Sequence, residues 1–249
     1  MKRAARAFAD ALAYFTLLPL PSRRLERPDG YALAFLPLAG GLAGAAAGGF
    51  GAFVAWRMPG FGGVAALLAT VVLTGAIHVD GFLDCCDALF AAAPPVRRLE
   101  ILRDPHHGSY AIVAMVLAAL VWVRALDRLD PWTLAPALAF VGIVARLAAI
   151  AGAYAFPYAR EDGFARSLGA HPPLWPIAVA TAVALGLGWK LGPATMALLP
   201  AAIVAGLLLE FWAARRLGGG ITGDVYGAVV VVVEIALLLR LPELAKLLP

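Results

Sequence analysis

Seven long apolar runs divide the chain, at residues 31–56, 61–77, 109–126, 132–156, 174–191, 194–212 and 225–241. Each is roughly 17–26 residues long, the length at which an apolar helix crosses the hydrocarbon core of a bilayer. The pattern predicts an all-α, polytopic bundle of about seven transmembrane helices. Two of its divisions are weak. The run at 61–77 is short, and only Gly192-Pro193 separates 174–191 from 194–212. Ahead of the first run, Phe8, Leu12 and Phe15 recur on one helical face behind Lys2, Arg3 and Arg6. This predicts an amphipathic helix lying in the membrane interface. Asp10, Pro19 and Pro21 interrupt the stretch and argue against a cleavable signal peptide.

Composition strengthens this picture. Hydrophobic residues make up 62% of the chain and charged residues 14%, where a soluble domain carries about a quarter. Little polar sequence remains for a soluble module, so residues 1–249 read as one integral membrane domain. The net charge of +4 gives no reason to expect nucleic acid. Basic residues here suit anionic lipid or a phosphorylated substrate. Cys85 and Cys86, the only cysteines, are adjacent, and no disulfide framework is expected. The sequence neither requires nor excludes an oligomer.

Lysine and arginine positions set an orientation. With the N-terminus inside, the inner segments carry Lys2, Arg3, Arg6, Arg23, Arg24, Arg27, Arg97, Arg98, Arg103, Arg160, Arg166, Arg215 and Arg216. The outer ones carry Arg57, Arg124, Arg128, Lys190, Arg240 and Lys246. Arg146 falls inside a span and needs a partner, an aspartate or a phosphate. Gly40, Gly41, Gly44, Gly48 and Gly49 in the first span predict close helix packing.

Two acidic, glycine-bearing clusters interrupt the apolar pattern. The first is His78-Val-Asp80-Gly81-Phe-Leu-Asp84-Cys-Cys-Asp87, followed by Arg103-Asp104-Pro105. Asp80, Asp84 and Asp87 recur at i, i+4 and i+7, on one face of a helix. Carboxylates gathered beside a span repel one another unless a cation offsets them. Hard oxygen ligands suit Mg²⁺, with Mn²⁺ as a substitute, and Mg²⁺ commonly brings phosphate with it. Gly81 leaves room beside Asp80 for a phosphate or a ribose. Asp104 is placed either to complete the metal shell or to accept a proton from an attacking hydroxyl. His78 is two residues from Asp80 and points elsewhere on a continuous helix. It reads as capping the span or bonding an aspartate. His106 and His107 open a span and are candidates to touch phosphate.

The second cluster is Gly218-Gly219-Gly220-Ile-Thr222-Gly223-Asp224. A glycine-rich turn at a helix N-terminus offers backbone N–H groups to an anion. It lacks the GK[ST] of a Walker loop. Asp224, Arg215 and Arg216 add to its weight, and its placement at the inner face predicts that it lies against the first cluster. Arg160-Glu161-Asp162-Gly163 and Arg166 occupy another inner loop, where positive-inside topology and phosphate binding explain the arginines equally well.

Together these blocks resemble the cobalamin synthase family, the adenosylcobinamide-GDP ribazoletransferases. Phe15-Thr16-Leu-Leu-Pro19-Leu-Pro21 is similar to the family's N-terminal signature, and 78–87 to its acidic motif. Ile101-Leu-Arg103-Asp104-Pro105 with Gly108-Ser109-Tyr110 resembles the next block. Pro157-Tyr158-Ala159-Arg160-Glu161 and 219–224 with Gly227-Ala228 resemble the later ones. Ala88 and Ala111 stand where the family pattern has glycine, and His106 where it has arginine. The resemblance implies a Mg²⁺-dependent transfer in the inner membrane of a bacterium, with the site facing the cytoplasm. Adenosylcobinamide-GDP is joined to α-ribazole or its 5′-phosphate, and GMP is released. Asp80, Asp84, Asp87 and Asp104 would hold metal. Asp84 or Asp104 would serve as base. Arg103, His106, Arg160, Arg215, Gly223 and Asp224 would bind substrate. The alternatives are a CDP-alcohol phosphotransferase, whose DG-xx-AR order the chain does not meet, and a transporter, which would need acids deep within its spans.

Overall fold

A computed structural model describes residues 2–18, 30–160 and 172–245. Pro19, Pro21, Arg23, Arg24, Arg27, Glu161, Asp162, Gly163, Arg166 and Lys246 lie outside the described residues. The chain begins with α1 (Lys2–Phe15), the short α2 (Gly30–Leu33) and α3 (Leu36–Arg57). Next come α4 (Gly62–Leu73), α5 (Ile77–Phe90), α6 (Pro95–Ile101) and α7 (Ser109–Leu126). The remainder is α8 (Pro131–Ala155), α9 (Leu174–Leu191), α10 (Leu198–Arg216) and α11 (Gly223–Ala245). Among the described residues, six helices are long and apolar enough to span a membrane. A seventh crossing arises if α4 and α5, which meet at 90°, count as one broken span. The weak run at 61–77 is therefore α4 with the turn into α5. Gly75 and Ala76 make that turn with φ of 59° and 58°, a left-handed conformation that a residue with a Cβ adopts only under strain. Gly192, at φ 135°, begins the turn between α9 and α10.

α8 is the central helix, and all of residues 137–150 are buried. α3 packs along it through a seam of small residues. A Cβ on Gly44 would run into the carbonyl of Leu138, and one on Gly48 into that of Leu134. Gly40 and Gly142 face each other in the same way. Lipid gives no hydrophobic drive between helices, so this close backbone approach carries the association. Gly49, read with the others, has nothing near its Cβ position. α1 packs against α2 and α3. Its Ala7 and Ala11 are buried in one cluster with Ala32, Phe35 and Ala39.

Arg146 of α8 finds its partner in Glu234 of α11. The guanidinium Nη1 donates to Glu234 Oε1 at 2.6 Å and to the Gly142 carbonyl at 3.1 Å. Both side chains are less than a tenth exposed. An ion pair in this setting offsets two desolvation costs and holds α11 to α8 in one register.

Breaking one half of the pair strands a charge inside the bundle. Arg146→Met should destabilise the protein by about 3–5 kcal/mol. The double variant Arg146→Met/Glu234→Leu should recover most of that loss. Thermal unfolding of the purified protein in detergent checks both; a double variant no more stable than the single one would contradict the assignment.

Candidate functional site

The two acidic clusters meet where α11 begins. An added Cβ on Gly81 of α5 would lie 2.8 Å from the Asp224 carbonyl oxygen and 3.0 Å from its Cα. One on Gly227 of α11 would lie 3.1 Å from the His78 carbonyl oxygen. Two glycines thus let α5 and α11 cross at backbone contact. The room expected at Gly81 for a phosphate or ribose is filled instead by the Asp224 backbone.

A second device brings in Arg160. Residues Tyr158 and Ile221 form an isolated parallel bridge. The Ala159 N–H donates to the Ile221 carbonyl at 2.9 Å, and the Ile221 N–H to the Pro157 carbonyl at 3.0 Å. This clip sets Arg160 beside Asp224, and its Nη2 donates to Asp224 Oδ2 at 3.0 Å. The same nitrogen donates to the Leu102 carbonyl at 3.2 Å, which ties in the segment after α6. Thr222 Oγ1 also donates to Asp224 Oδ2, at 3.0 Å. Three stretches far apart in sequence therefore meet at the Arg160 guanidinium.

Asp80 and Asp84 stand on the adjoining face of α5, and Asp84 is the more enclosed, with its side chain 15% exposed against 67%. His107 reaches toward both. Its Nδ1 is 3.6 Å from Asp84 Oδ1, and its Nε2 is 3.9 Å from Asp80 Oδ1. Of the two histidines that precede α7, it is His107 that faces the carboxylates. His106 is exposed and is bound to Asp104, accepting or donating through Nδ1 at 2.9 Å, while its backbone N–H donates to the same oxygen at 3.0 Å. Those bonds hold the Asp104 carboxyl below the usual carboxylate range. Among the described residues, Asp104 is not drawn into the group formed by Asp80, Asp84 and Asp224.

Asp87 differs most from expectation. Its Oδ2 accepts from the Gly108 N–H at 2.6 Å, and its Oδ1 from the Ala111 N–H at 3.1 Å. Both oxygens are engaged by the first turn of α7, whose unpaired N–H groups and positive dipole end favour an anion. Asp87 thus anchors α7 to α5. Its place on the acidic face was legible; the partner came from a helix starting 22 residues later. Arg98 and Arg216 complete this frame. Arg98 donates to the Ala88, Leu89 and Ala93 carbonyls, and Arg216 Nε to that of Leu89 at 3.0 Å. Two guanidinium groups therefore cap the end of α5. Arg215 lies 5.8 Å over the Phe211 ring, and Arg103 is exposed. Neither contacts the carboxylate group among the described residues. No three His, Cys, Asp or Glu side chains among the described residues converge to hold a metal by themselves.

A cavity of about 220 Å³ opens beside this group, between α1, α3, α5, α8 and α11. Its polar wall includes His78, Asp80, Arg160 and Asp224. Gly223 lies at its edge, with nothing within 4 Å of the Cβ position. The sequence did not single out His78 as a lining residue; its two-residue offset from Asp80 turns it inward, away from the acidic face.

The two glycines make a clean comparison. Gly81→Ala should destabilise the protein by about 1–3 kcal/mol, because the new methyl group meets backbone. Gly223→Ala should leave the unfolding temperature unchanged. Equal unfolding temperatures for the two variants would contradict the crossing of α5 on α11.

The adenosylcobinamide-GDP ribazoletransferase of Deinococcus radiodurans is 39% identical over 245 residues, covering 95% of this chain and 86% of that protein. The protein of the same name from Bradyrhizobium diazoefficiens is 37% identical over 238 residues, covering 92% and 90%. The one from Ralstonia nicotianae is 32% identical over 262 residues, covering 96% and 95%. No solved structure matches. The model of the cobalamin-5-phosphate synthase family matches residues 7–241, and the chain belongs to that family.

Proposed function

We propose that this protein is an adenosylcobinamide-GDP ribazoletransferase, joining adenosylcobinamide-GDP to α-ribazole or its 5′-phosphate at the inner membrane of a bacterium. The observation that carries the reading is the meeting of Arg160, Asp80 and Asp224 around one cavity, with Asp84 and His107 beside them. A diphosphate needs both kinds of group found there. Cationic donors bind its oxygens, and carboxylates hold the divalent ion that neutralises its charge. The acidic motifs belong to segments rich in arginine, which supports a cytoplasmic location under the positive-inside rule.

One or two of Asp80, Asp84 and Asp224 would hold a Mg²⁺ ion shared with substrate. Mg²⁺ is commonly bound by one or two carboxylates, with water and substrate phosphate supplying the rest. When bound, the ion would neutralise the diphosphate and make GMP a better leaving group.

In the reaction a ribose hydroxyl oxygen of the nucleoside attacks the phosphorus on the cobinamide side of the diphosphate. A new P–O bond forms as the bond to GMP breaks. GMP carries away the electron pair, and the hydroxyl proton passes to a carboxylate. Asp84 is the better candidate base. It is enclosed and faces the carboxylate group, whereas Asp104 is solvent-exposed and its proton affinity is reduced by His106. Arg160 Nη2 orients Asp224, and its Nε has no partner among the described residues, which leaves a donor for a phosphate oxygen. Arg103 and Arg215 sit further out, where they could meet only parts of the substrate that extend from this group.

The test is the release of GMP. Purified protein with Mg²⁺ should release GMP from adenosylcobinamide-GDP only when α-ribazole is present. Asp80→Asn and Asp84→Asn should each reduce turnover by roughly 10³-fold while the protein still inserts and purifies normally. GMP release without α-ribazole, or transfer from CDP-diacylglycerol instead, would overturn the proposal.

A further inference from the structure

The cavity beside the carboxylates is larger and less polar than a phosphate requires. Its inner wall includes Phe15, Leu36, Ile150 and Tyr226. Only its mouth carries Asp80 and Asp224. Between these two ends lies His78, which is 8% exposed and whose Nε2 is buried with no hydrogen-bond partner among the described residues. Arg160 lines the same cavity, and its buried Nε is likewise unpartnered. A buried polar atom left unsatisfied is unfavourable by about 1–3 kcal/mol. Arg160 Nε is taken up by the diphosphate in the reaction proposed above, which leaves His78 Nε2 to be satisfied by another group in the same cavity.

The shape of the wall narrows the ligand class. The Phe15 ring lies nearly parallel to the His78 ring, 13° between planes with centroids 6.3 Å apart. Tyr158 and Tyr226 add further aromatic surface. Flat, mostly apolar walls with one hydrogen-bonding nitrogen suit a planar heteroaromatic ring, whose faces pack and whose edge nitrogen bonds. A lipid acyl chain would fill the space but leave His78 Nε2 unsatisfied. A macrocycle is too large for about 220 Å³. We propose that the cavity seats the base of the incoming nucleoside, a planar two-ring heterocycle with an edge nitrogen hydrogen-bonded to His78 Nε2. The sugar then lies at the mouth, with its hydroxyl groups beside Asp80 and Asp224. His78 is a specificity residue: it selects a ring with a nitrogen at that edge over an isosteric hydrocarbon. This inference rests on the transfer reaction proposed above and adds where its acceptor binds.

The cavity can be tested without turnover. Benzimidazole is the probe, a flat two-ring compound with one N–H and one bare ring nitrogen. Its binding to the full-length protein in lipid nanodiscs is followed by saturation-transfer NMR, with empty nanodiscs as control. Binding should saturate for the wild-type protein. It should disappear in Ile150→Trp or, where that variant does not fold, in Val230→Phe, since both fill the cavity from α8 or α11. His78→Leu should weaken binding about tenfold, the loss of one buried hydrogen bond, and His78→Gln should restore much of it by returning a nitrogen near the Nε2 position. In the transfer assay, His78→Leu should raise KM for α-ribazole and leave KM for adenosylcobinamide-GDP unchanged. Benzimidazole binding that survives both cavity-filling variants, or fails to saturate in the wild type, would overturn the inference. Saturable binding in the cavity by a protein that releases no GMP would leave the cavity assignment standing and count against the transfer reaction alone.

Discussion

The Arg146–Glu234 pair fixes α11 against α8, and the site depends on where α11 begins. The guanidinium and carboxylate sit 2.6 Å apart in the middle of the bundle, with almost no exposure. Charges in such a place are tolerated only when matched, so the two helices have one favoured register. That register sets Asp224 at the crossing with α5, where Gly81 and Gly227 allow backbone contact. The glycine seam between α3 and α8 supports the same arrangement from the other side. It closes the wall of the cavity that Leu36 and Ile150 share.

Most polar groups within this frame are satisfied by the chain itself. Asp87 accepts from the first turn of α7, Arg98 and Arg216 donate to the end of α5, and Asp224 is held by Arg160 and Thr222. Among the described residues, the buried side-chain atoms without partners are His78 Nε2, Arg160 Nε and both oxygens of Glu210. The first two belong to residues around one cavity at the acidic site. Glu210 is packed on Gly152 of α8 and lies near Tyr226, on the far side of the cavity wall from the carboxylates. Satisfied groups build the frame; the unsatisfied nitrogens mark where something else is to bind.

Much of this was legible in the sequence, because its signals are local. Span length and hydropathy predicted the long helices. The run at 61–77 was cut short because α5 carries Asp80, Asp84 and Asp87, and an acidic helix does not read as a span. The i, i+4, i+7 spacing placed those three acids on one face, yet it could not separate Asp87 from the others. That separation needed the N–H groups of Gly108 and Ala111. Likewise, Arg146 inside a span called for a partner, but Glu234 lies 88 residues away. His78 was read as capping a span or bonding an aspartate; its place in the cavity wall follows from packing against Phe15 of α1, which no periodicity in α5 encodes.

The account stands on Arg160 and Asp224 acting as one unit within a site assembled from separate segments. A double-mutant cycle on kcat/KM for GMP release, using Arg160→Gln, Asp224→Asn and the double variant, tests this most directly. The account predicts strong non-additivity: the double variant should lose little more than the worse single variant, with a coupling energy of about 1–3 kcal/mol. Losses that simply multiply would mean that the two residues act independently, and would contradict the shared site.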